Sequence, residues 1–145
     1  MADYFTHFSC ILDLTNSAEA DAALVRFGAF RERLITIENR SPGFTLSTQP
    51  SPPEAAGTGT QLWIFDDESG EPADVIAFVE ELGPALSLTG LWGFEWTHSC
   101  SRPRLDAFGG GACLIDLATG ETVASISTNE WLTRVLADPH TAGEI

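Results

Sequence analysis

The sequence predicts an α+β domain on the ferredoxin-like plan: a split βαβ sheet with a β-hairpin and a short helix added at its C-terminal end. Two observations carry this. Segments of period-two hydrophobicity alternate with two stripes of helical period, in the order strand, helix, strand, strand, helix, strand. A further pair of alternating segments and a capped helical stretch then follow the sixth element.

Tyr4 to Leu14 alternates, with Phe8, Cys10, Leu12 and Leu14 on one side and His7, Ser9, Ile11 and Asp13 on the other, as a half-buried strand does. Asn16 followed by Glu19 is a capping pair, and Ala23, Phe27, Phe30, Leu34 and Ile37 recur at helical spacing up to Glu38. Ser41, Pro42 and Gly43 end that helix. Phe44 to Gln49 and Thr60 to Asp66 read as two strands joined by a mobile Pro/Gly/Ser-rich loop over 50–59. Pro72 opens a second helix whose apolar stripe is Val75, Val79, Leu82 and Leu86, with Asp74 and Glu81 expected on its solvent side. Leu91 to His98 alternates again. Ala112 to Leu117 and Val123 to Ser127 form a hairpin, and Ser127 with Glu130 caps a last helix closed by Pro139. The tail over 140–145 is expected to fray.

With 145 residues, 43% of them hydrophobic, the chain can fill one ordinary core, which predicts a single domain over 1–145. No segment approaches the ~20 apolar residues of a membrane span, and the N-terminus lacks the pattern of a secretory signal. Three cysteines without paired spacing fit a reducing compartment, and a cytoplasmic protein is expected.

Charge is the feature that points to function. The net charge is −14, there is no lysine, and no Lys or Arg falls between Arg40 and Arg102. Within that gap Asp66, Asp67, Glu68, Glu71, Asp74, Glu80 and Glu81 crowd together. Such a surface repels nucleic acid and attracts basic proteins, although acidic balance also serves solubility alone. Direct nucleic-acid binding is therefore excluded, despite aromatics on a sheet of the kind that RNA-binding modules use for stacking.

Strand parity makes a second prediction. The face bearing Phe8, Cys10, Leu12, Trp92, Phe94 and Trp96 should lie under the helices, leaving Ile11, Trp63, Phe65 and Glu95 on the opposite face. Trp63, Phe65 and Ile11 then form an apolar patch that is ordinarily covered, here by the C-terminal segment, and that is an interface if left open.

The segment from Trp92 to Ala112 gathers His98, Cys100, Arg102, Arg104 and three consecutive glycines. A thiol beside guanidinium groups with a nearby imidazole could act as a nucleophile, but a buried Cys with a structural His is the ordinary reading. Gly109 to Gly111 lacks the Lys and Ser/Thr of a phosphate-binding loop and leads into a strand, so a tight bend is expected. His7, Cys10, His98 and Cys100 have no chelating spacing, and Asp66, Asp67 and Glu68 lack calcium-loop spacing. No metal, cofactor or catalytic residue is expected.

Thr89 to Glu121 resembles a group of uncharacterised bacterial proteins carried on plasmids and integrated elements. They share the Trp92-Gly93-Phe94 strand, the Cys100-Ser101-Arg102-Pro103-Arg104 turn and the Phe108-Gly109-Gly110-Gly111-Ala112 loop. The resemblance implies a context and no activity. Small acidic proteins of that context are similar in kind to anti-CRISPR, antirestriction and toxin-immunity proteins, some of which present carboxylates where DNA presents phosphates. The leading expectation is a non-enzymatic inhibitor that binds a basic, nucleic-acid-binding surface through Asp66 to Glu81. Two others stand beside it: a toxin-immunity or structural partner using the Trp63/Phe65 face, and a Cys100-dependent enzyme or anion binder.

Overall fold

The computed structural model describes residues 3–50, 59–104 and 107–143. Among the described residues seven strands and three α-helices form a mixed α+β fold: β1 Tyr4–His7, β2 Ser9–Leu14, α1 Ser17–Arg33, β3 Thr45–Pro50, β4 Thr60–Phe65, α2 Pro72–Ala85, β5 Leu91–Cys100, β6 Gly109–Asp116, β7 Glu121–Ser127 and α3 Thr128–Ala137. The expected loop over 50–59 lies, for 51–58, outside the described residues. The chain makes a 3-10 turn, Pro139–Thr141, and the tail expected to fray over 140–145 lies, for 144–145, outside the described residues. No helix among the described residues is long and apolar enough to cross a membrane.

Local signals set the helix starts. The Asn16 side chain accepts from Glu19 N–H at 2.9 Å, satisfying an orphan amide of α1, and Glu19 reaches back to Thr15 N–H just before the cap. Helix α1 runs into a π-helical turn, Leu34–Glu38, and stops at Asn39, whose φ of 53° is the left-handed conformation that ends many helices. Glu71 caps α2 directly before Pro72, and Ser127 caps α3.

The strands form two antiparallel sheets, in orders β1-β5-β6-β7 and β2-β4-β3, where the sequence predicted one sheet around an unbroken first strand. The first strand divides at Phe8. Its main chain is held by Asp66 on both groups: Phe8 N–H donates to the Asp66 carboxylate at 2.8 Å, and Asp66 N–H donates to Phe8 C=O. Upstream of Phe8 the strand pairs with β5, and downstream it pairs with β4. Between β2 and β5 the Trp92 indole N–H donates to Ile11 C=O at 2.9 Å, so a side chain satisfies a carbonyl that an unbroken sheet would give to an amide. The wedge is braced by stacking of Trp92 on Phe94 and an edge contact of Phe94 with Phe8.

One continuous core unites both sheets with α1 and α2. Phe27, Phe30, Phe44 and Phe78 meet in an aromatic cluster, and Val75, Val79, Leu82, Leu62, Ile64 and Ile115 are fully buried. The predicted core side of the strands is observed for Phe8, Leu12, Trp92 and Phe94, with Cys10 and Trp96 half-buried against the core. The β6–β7 hairpin does not fold over the opposite face. It extends the sheet sideways beyond β5.

Candidate partner-binding surface

The acidic run proves to be five internal contacts and two free carboxylates. Asp66 accepts from His7 Nδ1 at 2.8 Å as well as from Phe8 N–H, and anchors the turn that follows β4 against β1, with Gly70 N–H on Thr6 C=O at 2.7 Å. Glu71 spends its carboxylate on the Ala73 amide of the α2 cap. Asp74 was expected on the solvent side of α2. Instead it is 5% exposed and binds Arg40 through two oxygens, at 2.6 and 2.9 Å, and Gly43 N–H at 2.8 Å. Its position in the first turn of α2 faces the turn after α1, so Arg40 bridges the first helix to the second. Glu81, also expected to face solvent, is half-buried and pairs with Arg33 of α1 at 2.6 Å, while Glu80 accepts from Thr122 Oγ1 at 3.0 Å. Asp67 and Glu68 remain exposed, and Glu68 holds a φ of 93° that few side chains adopt.

Burial raises the carboxyl pKa of Asp66, but the hydrogen bonds from His7 and the Phe8 amide outweigh it and hold the group below the ordinary carboxylate value. A folded-state pKa below the unfolded value of about 3.9 contributes stability that is complete above that value and is lost as pH falls through the folded pKa. Asp66→Ala is therefore expected to lower stability by about 1–3 kcal/mol at pH 7. The deficit should shrink when urea unfolding is repeated below pH 4, and a deficit independent of pH would contradict the assigned hydrogen bonds.

The second cluster separates into unconnected parts. Thr6 and His98 are cross-strand neighbours, and Thr6 Oγ1 lies 2.9 Å from His98 Nδ1. Cys100 ends β5 half-buried, and Arg102 and Arg104 are exposed in the following turn. Among the described residues no hydrogen bond joins Cys100 to His98 or to either arginine, so the nucleophile–base contact that thiol chemistry needs is absent. Burial pushes the Cys10 thiol up to about 12 and also raises Cys113, which makes both poor nucleophiles. No group of three or more His, Cys, Asp or Glu side chains among the described residues is placed to hold a metal ion. Gly109 takes a φ of 127°, the bend expected of the triple glycine, whereas Gly110 and Gly111 serve the close approach of β5 and β7 to β6.

The face turned away from the core is open. Trp63 and Phe65 stack with ring centroids 4.0 Å apart, the Trp63 indole N–H donates to Ser9 Oγ at 2.8 Å, and Ile11 sits directly across from Trp63 in the β2–β4 register. Trp63 is 37% and Ile11 41% exposed. Beside them Gln49 donates to Gln61 and Gln61 to Asp13, so the buried Gln61 amide is satisfied at both ends. On the second sheet the matching face carries Gly93, Glu95, Ala112, Leu114, Ala124 and Ile126, which line a shallow groove of about 420 Å³. No Lys or Arg occurs in any of the seven strands, while Asp13, Glu95, Asp116 and Glu121 do.

This surface combines an uncovered aromatic pair with an acidic, base-free setting. It suits contact with a protein that offers apolar and basic groups together. Set against protein-family models, curated proteins and solved structures, the chain matches none of them.

Proposed function

We propose that this protein is a non-enzymatic inhibitor that binds a basic surface of a partner, with its open sheet face in the lead and the acidic turn in support. The observation that carries the reading is the uncovered Ile11–Trp63–Phe65 patch on strands without one Lys or Arg. Five of the seven carboxylates first expected to meet the partner are engaged within the fold. Rigid aromatics supply the affinity, because a large planar side chain loses little rotamer entropy on burial. The surrounding negative field, with Asp67 and Glu68 as its free carboxylates, steers encounter and selects a partner whose Arg and Lys otherwise hold phosphates. A nucleic-acid-handling complex fits that chemistry and the mobile-element resemblance.

The neighbour relations β1–β5 and β2–β4–β3 also support reading the fold as a ferredoxin-like plan whose first strand is broken at Phe8. Three free thiols fit action in the cytoplasm.

The test is capture of partners from lysate of the source organism by wild type, Ile11→Arg/Trp63→Ser and Asp67→Asn/Glu68→Gln, each verified as folded by circular dichroism. Ile11→Arg/Trp63→Ser is expected to lose the partner at every salt concentration. Asp67→Asn/Glu68→Gln is expected to keep it, with a several-fold weaker affinity at low salt and a shallower salt dependence. Retention of the same partners by the Ile11→Arg/Trp63→Ser form overturns the reading.

A further inference from the structure

Strand β7 closes one sheet with an unpaired edge, because it pairs with β6 on one side and with no described strand on the other. Glu121 to Ser125 are exposed. An edge of this kind presents a row of free N–H and C=O groups, and natural edges are usually blunted by Lys, Pro, bulges or cover. Here there is no Lys or Pro. A bulge does occur: Ala124 stands opposite Leu114 and Thr122 opposite Ile115, which leaves Val123 as the extra residue. It confines the regular edge to Ala124–Ser127. That stretch also supplies Ala124, Ser125 and Ile126 to the groove described above, whose depth comes from the missing bulk at Gly93, Ala112 and Ala124.

The start of the strand carries an uncompensated charge. Asp116 and Glu121 are direct cross-strand partners, a like-charge pairing that costs stability in a sheet, and Glu80 reaches the same end of β7 through Thr122. Neither β6, β7 nor α2 contains a Lys or Arg. Backbone groups that lack a ladder, an apolar depression beside them and the Asp116–Glu121 carboxylate pair without a cation describe complementary parts of one ligand.

We propose that the outer edge of β7 receives an extended, Arg- or Lys-bearing segment of a partner protein as an added strand. Main-chain hydrogen bonds to Ala124–Ser127 hold the segment, and its alternate side chains lie beside Ala124 and Ile126 at the rim of the groove. A basic residue of the segment answers Asp116 and Glu121. The proposal rests on the basic-partner reading and adds to it a mode of recognition that does not use Trp63.

The experiment titrates the full chain at 0.15 M salt with an acetylated, amidated octapeptide of alternating arginine and valine. Controls are the same peptide N-methylated at alternate amides and the glutamate–valine analogue. N-methylation keeps the charge and removes the strand-adding donors, so the parent peptide should bind at least tenfold tighter and slow amide exchange at Ala124–Ser127. Ala124→Trp, which fills the groove at an exposed position, should weaken binding to a similar degree, and Val25→Ser, at an exposed position of α1, should not. Equal binding of parent and N-methylated peptides overturns the strand-addition proposal while leaving the basic-partner reading intact. Equal binding of the glutamate analogue overturns that reading as well. A dimer of the free chain that Ala124→Trp dissociates would put a second copy on the edge and overturn the proposal.

Discussion

Asp74→Ala is expected to lose about 2–4 kcal/mol of folding stability, the largest loss in the acidic run. The carboxylate is buried, and three donors converge on it: two guanidinium N–H groups of Arg40 and the amide of Gly43. Removing it frees both the turn after α1 and the first turn of α2. Arg40 is 41% exposed and recovers part of its hydration, which keeps the loss below that of a fully buried pair. Arg40→Ala should cost about as much, since it leaves a buried carboxylate without its cation. Asp67→Asn/Glu68→Gln, by contrast, should change stability by no more than about 0.5 kcal/mol. Urea unfolding midpoints of the four proteins decide the matter. An Asp74→Ala variant as stable as wild type would return Asp74 to the pool of residues free for a partner.

Gly110→Ala is expected to cost about 3 kcal/mol, at the upper end of overpacking penalties. Gly110 lies opposite Thr97 in the β5–β6 register, and a Cβ there would fall against the carbonyl oxygen of Trp96. That atom is main chain in a paired strand, so relief requires moving β5 itself. Gly28→Ala makes the control, because nothing stands within 4 Å of its Cβ and it occupies the interior of α1. It should raise stability by about 0.5–1 kcal/mol. Thermal unfolding of both variants measures the contrast, and a Gly110→Ala protein that melts with wild type would refute the close approach assigned to the glycine loop.

Helix and strand positions were legible because they depend on neighbours in sequence. The capping pairs Asn16–Glu19 and Ser127–Glu130, Pro72 at the start of α2 and the alternation in Leu91 to His98 act over a few residues. The break at Phe8 was not legible, since it depends on Asp66, 58 positions away. The acidic run misled for a related reason. Its partners Arg33 and Arg40 lie upstream of the stretch without bases, and spacing along the chain does not reveal which cation a helix will meet across a packed interface. One signal was present: Pro72 at the first helical position puts Glu71 at the cap, where its carboxylate is spent on the Ala73 amide. Parity placed Ile11, Trp63 and Phe65 on one face, but the C-terminal segment was expected to cover them. That the hairpin would widen the sheet and leave Trp63 uncovered depended on β6 pairing with β5, a long-range choice.

An uncovered sheet with an edge guarded by one bulge alone would ordinarily make a protein stick to itself, and here the acid excess acts as the colloidal safeguard. At neutral pH each chain carries −14, so like surfaces are kept apart while a cationic one is drawn in. The safeguard dissolves as the solution approaches the isoelectric point near 4.2, where the same aromatic face meets its own copy without repulsion. Restricted solubility at that pH is thus the physical counterpart of selectivity at neutral pH, and both follow from leaving Trp63 and Ile11 in water.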